Sequence, residues 1–206
     1  MLKKIRKSKM TSTQLFILSM QTCQWWNAVF IQADRFFYIL ENHHGGTPWD
    51  EEDANSLFVA ERMFLIIAIH YAIENLRKLN IELQREQDFS LQKVLQTIEN
   101  TASFSDIKNL RDMNEHSLDY LVDKGKNQEH FRSLIKKGDY MTLTTAAWTH
   151  VYGDEQVTFL GNVPIDKLIL TMKNQLPIVR QKTKEIFDRE LIGASCEKTN
   201  IVDRTE

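Results

Sequence analysis

The sequence predicts an all-α protein, a bundle of four to five helices with a β-hairpin inserted before the last one. Three observations carry that expectation. Glycine and proline are scarce, at 7 and 3 among 206 residues, and a chain with few breakers has room for long helices. Apolar residues recur at i, i+3, i+4 and i+7 through most of the chain, which is the period of a helix with one buried face. One stretch, Thr142 to Leu160, departs from that period and is rich in threonine, aromatic and β-branched residues, the composition of strands.

Taken in order, the first ten residues form a basic tail, with Lys3, Lys4, Arg6, Lys7 and Lys9 close together. Such a cluster either solubilises a frayed terminus or attracts nucleic acid or an anionic surface. A first helix is expected from about Thr13 to Leu40, with Thr11, Ser12 and Thr13 all able to cap it. Its apolar residues, from Leu15 and Phe16 to Phe37 and Leu40, cover most of its circumference, so it belongs at the centre of the bundle or between two neighbours. Gly45, Gly46 and Pro48 then mark a turn. A second helix is expected from about Asp50 to Leu79, with Glu51, Glu52 and Asp53 at the end where the helix dipole favours anions and Arg77 and Lys78 at the other.

A third helix begins near Asp88 or Ser90, with Leu91, Val94, Leu95 and Ile98 as its inner stripe. Ser103 or Ser105 can cap a fourth, expected from Asp106 to Val122, which Gly125 would close. A short helix over 128–136 precedes the hairpin at about 142–160, whose turn is Gly153–Asp154–Glu155. Two strands alone are marginal, so this hairpin must pack on the helices or on another chain. Pro164 suits the first turn of the last helix. Ile165, Leu168, Ile169, Met172, Leu176 and Val179 make that helix's apolar stripe, and Pro177 should kink it. Gly193 should end it, leaving 193–206 as a loose tail. The whole reads as one domain over 11–192.

Composition excludes several classes. An apolar fraction of 42% and a charged fraction of 26% are those of an ordinary globular protein. Two cysteines, Cys23 and Cys196, make no disulfide framework. The longest apolar run, Met63 to Ile69, is far short of a membrane span, and Gln14, Ser19 and Gln21 interrupt anything like a signal peptide. A cytoplasmic location and no membrane partner are the expectations. No metal-ligand spacing, phosphate-cradling glycine loop or G-x-S-x-G is present, and neither a metal nor a cofactor is expected.

The chemistry concentrates in LRDMNEHSLDY, Leu110 to Tyr120. On a helical wheel Ile107, Leu110, Asn114, Ser117, Leu118 and Leu121 share the inner side, and His116 falls opposite. His116 then faces solvent or another protein. Arg111 and Glu115 are spaced as an i,i+4 pair, and so are Asp112 and His116. This is either a solvated charged face or a site. An imidazole can take a proton from a ribose 2′-hydroxyl or return one to a leaving oxygen. A carboxylate can orient the imidazole, and an arginine can hold a phosphate and the charge that develops on it. No metal is needed for that reaction.

Arg111-Asp112-Met113-Asn114-Glu115-His116 resembles the R-x4-6-H signature of the HEPN (higher eukaryotes and prokaryotes nucleotide-binding) superfamily, in which Asn, Asp or His commonly follows the arginine. An all-helical setting with the motif on a late helix is also similar. The resemblance implies a metal-independent RNA endonuclease in a toxin–antitoxin or antiviral-defence role. It also implies a homodimer whose two motifs meet at the interface, and an antitoxin as a further partner. His116 would be general base or acid, Arg111 would bind the scissile phosphate and Asp112 would orient His116. Tyr120 and Asn114 would be supporting donors. The tyrosine that some members carry two residues after the histidine is Leu118 here, and the hairpin is not a general family feature.

The alternative is a non-catalytic bundle that binds a protein partner or a nucleotide through the same face. Elsewhere, His70 within the second helix reads as a hydrogen-bonded core histidine. Of the adjacent Trp25 and Trp26, one belongs to the core and the other can reach a partner surface. Trp148, His150 and Tyr152 share one face of the hairpin, to pack on the bundle or to stack on bases.

Overall fold

The computed structural model describes residues 9–42, 54–116, 124, 147–152 and 155–202. Within them lie α1 (Ser12–Asn42), α2 (Ala54–Arg85), α3 (Ser90–Thr101), α4 (Phe104–Glu115), the strands β1 (Ala147–Tyr152), β2 (Glu155–Leu160) and β3 (Val163–Pro164), and α5 (Ile165–Val202). The fold is the expected helical bundle with a hairpin before the last helix. The expected helix over 128–136 and the turn at Gly153–Asp154 lie outside the described residues.

The helix starts follow their caps. Thr11 opens α1 through a reciprocal box: its Oγ1 accepts the Gln14 N–H at 3.2 Å, and its own N–H donates to Gln14 Oε1 at 3.0 Å. Ahead of α3, the Asp88 carboxylate accepts the Ser90 N–H at 2.9 Å. Bonds from Ser90 and Lys182 hold the Asp88 pKa at about 2, against the opposing effect of burial.

The helix ends depart from expectation. α2 runs on to Arg85, because Leu79, Leu83 and Glu82 continue its buried stripe. It ends in a Schellman-type turn in which the Asp88 N–H reaches the Leu83 carbonyl at 2.9 Å and Gln87 takes a φ of 64°. α5 holds Pro177 within it, as expected, but passes through Gly193 and reaches Val202, so the loose tail expected from 193 is helical as far as that residue. Pro164 is not in the first turn of α5. It is the last residue of β3, paired with Phe159. The basic tail is anchored at its end: Lys9 Nζ lies 3.1 Å from Glu86, and the Met10 N–H lies 3.4 Å from the Glu82 carboxylate.

Cross-helix contacts fix an antiparallel arrangement. Phe36 meets Phe58 and Trp25 stacks on Tyr71 between α1 and α2, so one index rises as the other falls. Phe16 stacks on Phe187 and Asn27 accepts from Arg180 between α1 and α5. Thr101 bonds Thr171 between α3 and α5. The core runs along this interior through Trp26, Phe36, Leu65, Ile69, Leu76, Leu91, Ile98 and Leu168, all nearly or fully buried. Trp26 is the core member of the tryptophan pair, and Trp25 packs at its edge.

β1 and β2 pair antiparallel from Ala147↔Leu160 to Tyr152↔Glu155, and a two-residue turn with Gly161 at φ 59° adds the short β3. This third strand was not foreseen. Leu160 and Val163 enter the main core, and the Thr158 N–H donates to Asp166 at 3.0 Å, so the sheet is seated on the start of α5. Among the described residues, no helix is long and apolar enough to cross a membrane.

Among the described residues, the buried polar side chains of the bundle include a charged one. Arg62 on α2 is 5% exposed, and its Nε and Nη1 meet no acceptor. Burial pushes its pKa down to about 10.

Candidate functional site

Ser103 starts α4. Its Oγ accepts the Asp106 N–H at 3.0 Å and donates to the Asp106 carboxylate at 2.7 Å. Ile107, Leu110 and Met113 are the buried residues of the helix. The inner stripe is thus turned toward Met113, which the wheel had left out, and away from Asn114. The half-buried Asn114 donates its side-chain amide to the Leu110 carbonyl at 2.7 Å, within its own helix.

α4 crosses α2 antiparallel. Near its start the Arg77 guanidinium sits 5.1 Å from the centre of the Phe104 ring. Near its end Arg111 Nη1 lies 3.1 Å from His70 Nε2. An arginine can only donate, so His70 Nε2 is the acceptor, and the imidazole is neutral with its proton on Nδ1. His70 is 8% exposed. Burial, then the charge of Arg111, lower its pKa, while Glu74, Asp112 and Glu115 work the other way. The core histidine expected from the sequence is hydrogen-bonded, and its partner is the motif arginine.

The rest of the guanidinium faces carboxylates. Nε donates to Asp112 Oδ1 at 3.0 Å, Nη2 bonds the same oxygen, and Glu115 Oε2 lies 3.4 Å from Nε. The i,i+4 pair of Arg111 with Glu115 is therefore present, but Asp112 turns to its neighbour Arg111. Of the five N–H groups of an arginine, three point at these partners and two remain. With His70 neutral, Arg111, Asp112 and Glu115 together carry a formal charge of −1.

His116 does not ride on the helix surface as expected. α4 ends at Glu115, and His116 is its C-cap, with φ −118° and ψ 34° and its N–H on the Asp112 carbonyl at 3.0 Å. It is exposed. The expected continuation to Val122, with Ser117, Leu118 and Tyr120, lies outside the described residues. The structure thus brings Arg111, Asp112 and Glu115 together, places His116 at the adjoining helix end and turns Asn114 back on its own backbone.

Sequence reasoning missed the contribution of α2. Tyr71 is 39% exposed, stacks on Trp25 with centroids 4.9 Å apart, and meets His70 edge-on at 5.5 Å. Phe64, 55% exposed, lies two helical turns before it. The only sequence signal was the seven-residue spacing of Leu57, Phe64 and Tyr71, which nothing tied to a motif some 40 residues away.

Compared with known proteins, the chain matches no family model, no curated protein and no solved structure.

Proposed function

We propose that this protein is a metal-independent RNA endonuclease of the HEPN type, with Arg111 and His116 as its working pair. The observation that supports the reading is their placement. An arginine with two uncommitted N–H groups precedes, by five residues, an exposed imidazole at the end of the same helix. Arg111 binds a phosphate oxygen. His116 takes the proton of the ribose 2′-hydroxyl, or delivers one to the departing 5′-oxygen. The 2′-oxygen bonds to phosphorus as the 5′-oxygen leaves, giving a 2′,3′-cyclic phosphate and a 5′-hydroxyl. Tyr71 and Phe64 offer exposed rings for bases to stack on. Asp112 and Glu115 hold Arg111 in place, and a phosphate oxygen takes up its two remaining N–H groups. A role in defence or as a toxin, a composite cleft between two copies, and an antitoxin partner belong to the same proposal.

The test is cleavage of mixed-sequence RNA by the purified chain with EDTA present, beside His116→Ala and Arg111→Ala. Cleavage by the wild type alone, with cyclic phosphate ends, is the expected result. Absence of cutting, or cutting that survives His116→Ala, would sink the reading.

The formal −1 charge of the corner supports a second one. A cluster of that sign suits a non-catalytic contact with a basic protein segment better than contact with a polyanion. That reading expects binding of a basic peptide, weakened by Asp112→Asn, and no cleavage.

A further inference from the structure

Arg111 is held from two helices, and the holder on α2 plays no part in the proposed reaction. On α4, Asp112 Oδ1 accepts from Nε and from Nη2. On α2, His70 Nε2 accepts one N–H of Nη1 at 3.1 Å. A planar group that donates from all three of its nitrogens to fixed partners has its orientation set. The two N–H groups left over sit one on Nη1 and one on Nη2, the terminal nitrogens through which an arginine grips a phosphate.

We infer that His70 is a positioning residue for Arg111: its neutral imidazole accepts at Nη1, fixes the guanidinium and holds the two terminal N–H groups toward an incoming oxyanion. The inference rests on the part of the nuclease reading that makes Arg111 the phosphate ligand, and it adds a residue that the reading does not contain.

Two observations favour this role over packing. The docking of α4 on α2 is already made by the buried Ile107, Leu110 and Met113 and by Arg77 over the Phe104 ring. His70 is 8% exposed, and an apolar residue would fill its place without the cost of burying a polar ring. The acceptor is also uncharged. Asp112 and Glu115 already set two carboxylates against one cation. An imidazole nitrogen holds Nη1 without cancelling more of the charge that a phosphate must meet. Burial and the charge of Arg111 keep the ring in that neutral form, against Glu74, Asp112 and Glu115. Without the acceptor, Nη1 is free to swing toward Glu115, whose Oε2 lies 3.4 Å from Nε, and the terminal N–H groups turn from solvent to carboxylate.

The test uses NMR of the isotope-labelled full chain, with inorganic phosphate as the probe, beside cleavage of mixed-sequence RNA. His70→Gln keeps an acceptor at position 70, and His70→Leu keeps bulk alone. At neutral pH the wild-type ring should carry its proton on Nδ1 with Nε2 bare, and phosphate should shift the Arg111 Nη signals. In His70→Leu, with the helical circular dichroism unchanged, the phosphate Kd should rise and kcat on RNA should fall by about tenfold or more, the scale of a misplaced contact. His70→Gln should stay close to the wild type in both. A wild-type ring protonated on Nε2 would overturn the inference, and that readout needs no variant to fold. So would a leucine variant that binds phosphate like the wild type, a glutamine variant that loses as much as leucine, or Arg111 signals that ignore phosphate. A wild type that binds phosphate at Arg111 and cuts no RNA removes the nuclease reading alone, and the phosphate Kd of the two variants then decides the role of His70.

Discussion

Two arginines of the bundle, one on α4 and one on α2, meet opposite fates. Arg111, at the rim between α4 and α2, has His70, Asp112 and Glu115 around it. Arg62, inside α2, is almost fully buried and finds no acceptor for Nε or Nη1. The first guanidinium joins two helices and keeps two N–H groups uncommitted. The second is desolvated without compensation, and its pKa falls to about 10. The contrast separates charge from stabilisation. A cation at the rim, with partners and some water, can stabilise the fold and still exchange partners. A cation without partners in the core costs free energy whatever else it does.

The sharpest way to separate the two is activity. His116→Ala should lower RNA cleavage by about 100-fold or more, the usual worth of a general acid or base. Next comes the rim itself. Arg111→Ala should destabilise the chain by about 1–3 kcal/mol, since it leaves the acceptor of a buried His70 and two carboxylates without their donor. Arg62→Met should do the reverse and stabilise by about 1–2 kcal/mol, because an apolar chain of similar length replaces an unpartnered charge. Equal losses at both positions in the urea titration would erase the distinction.

Acid should act at the rim in particular. The folded pKa of His70 lies below its ordinary 6.5, so the unfolded chain binds this proton more readily. The contribution is complete above 6.5 and is lost as pH falls through the lower folded value. The melting temperature should drop between pH 7 and pH 5, and less so in His70→Gln, which keeps an acceptor but cannot titrate. The smallest change is expected on the outer face of α1. Ile17→Gln should alter monomer stability by less than about 0.5 kcal/mol in chemical denaturation.

What could be read from the sequence was local. Ser103 with Asp106, and the cap at Thr11, are signals written within four residues, and both hold. The stripe of Leu91, Val94, Leu95 and Ile98 was legible because one period of 3.6 explains it. The end of α2 was not, since a Schellman turn normally advertises itself with glycine and here Gln87 takes the left-handed position. Gly193 misled in the other direction: a glycine permits a stop without requiring one. The candidate site was half legible. Arg111, Asp112 and His116 stand in one string, but His70, with Tyr71 beside it, reaches them only through the crossing of α4 on α2. No spacing rule on one helix reports such a crossing.

The meeting of the first and last helices has a bearing on how the chain is made. Arg180 reaches Asn27 across 153 positions, Phe187 covers Phe16, and Arg189 shares Glu86 with Lys9. During synthesis α1, α2 and α4 can assemble early, but one long side of α1 stays bare until the last helix has emerged. Contacts of such long range form late. A chain cut short before Arg180 would therefore keep α1 to α4 and carry a sticky flank along α1, the profile of a fragment that chaperones hold and proteases clear.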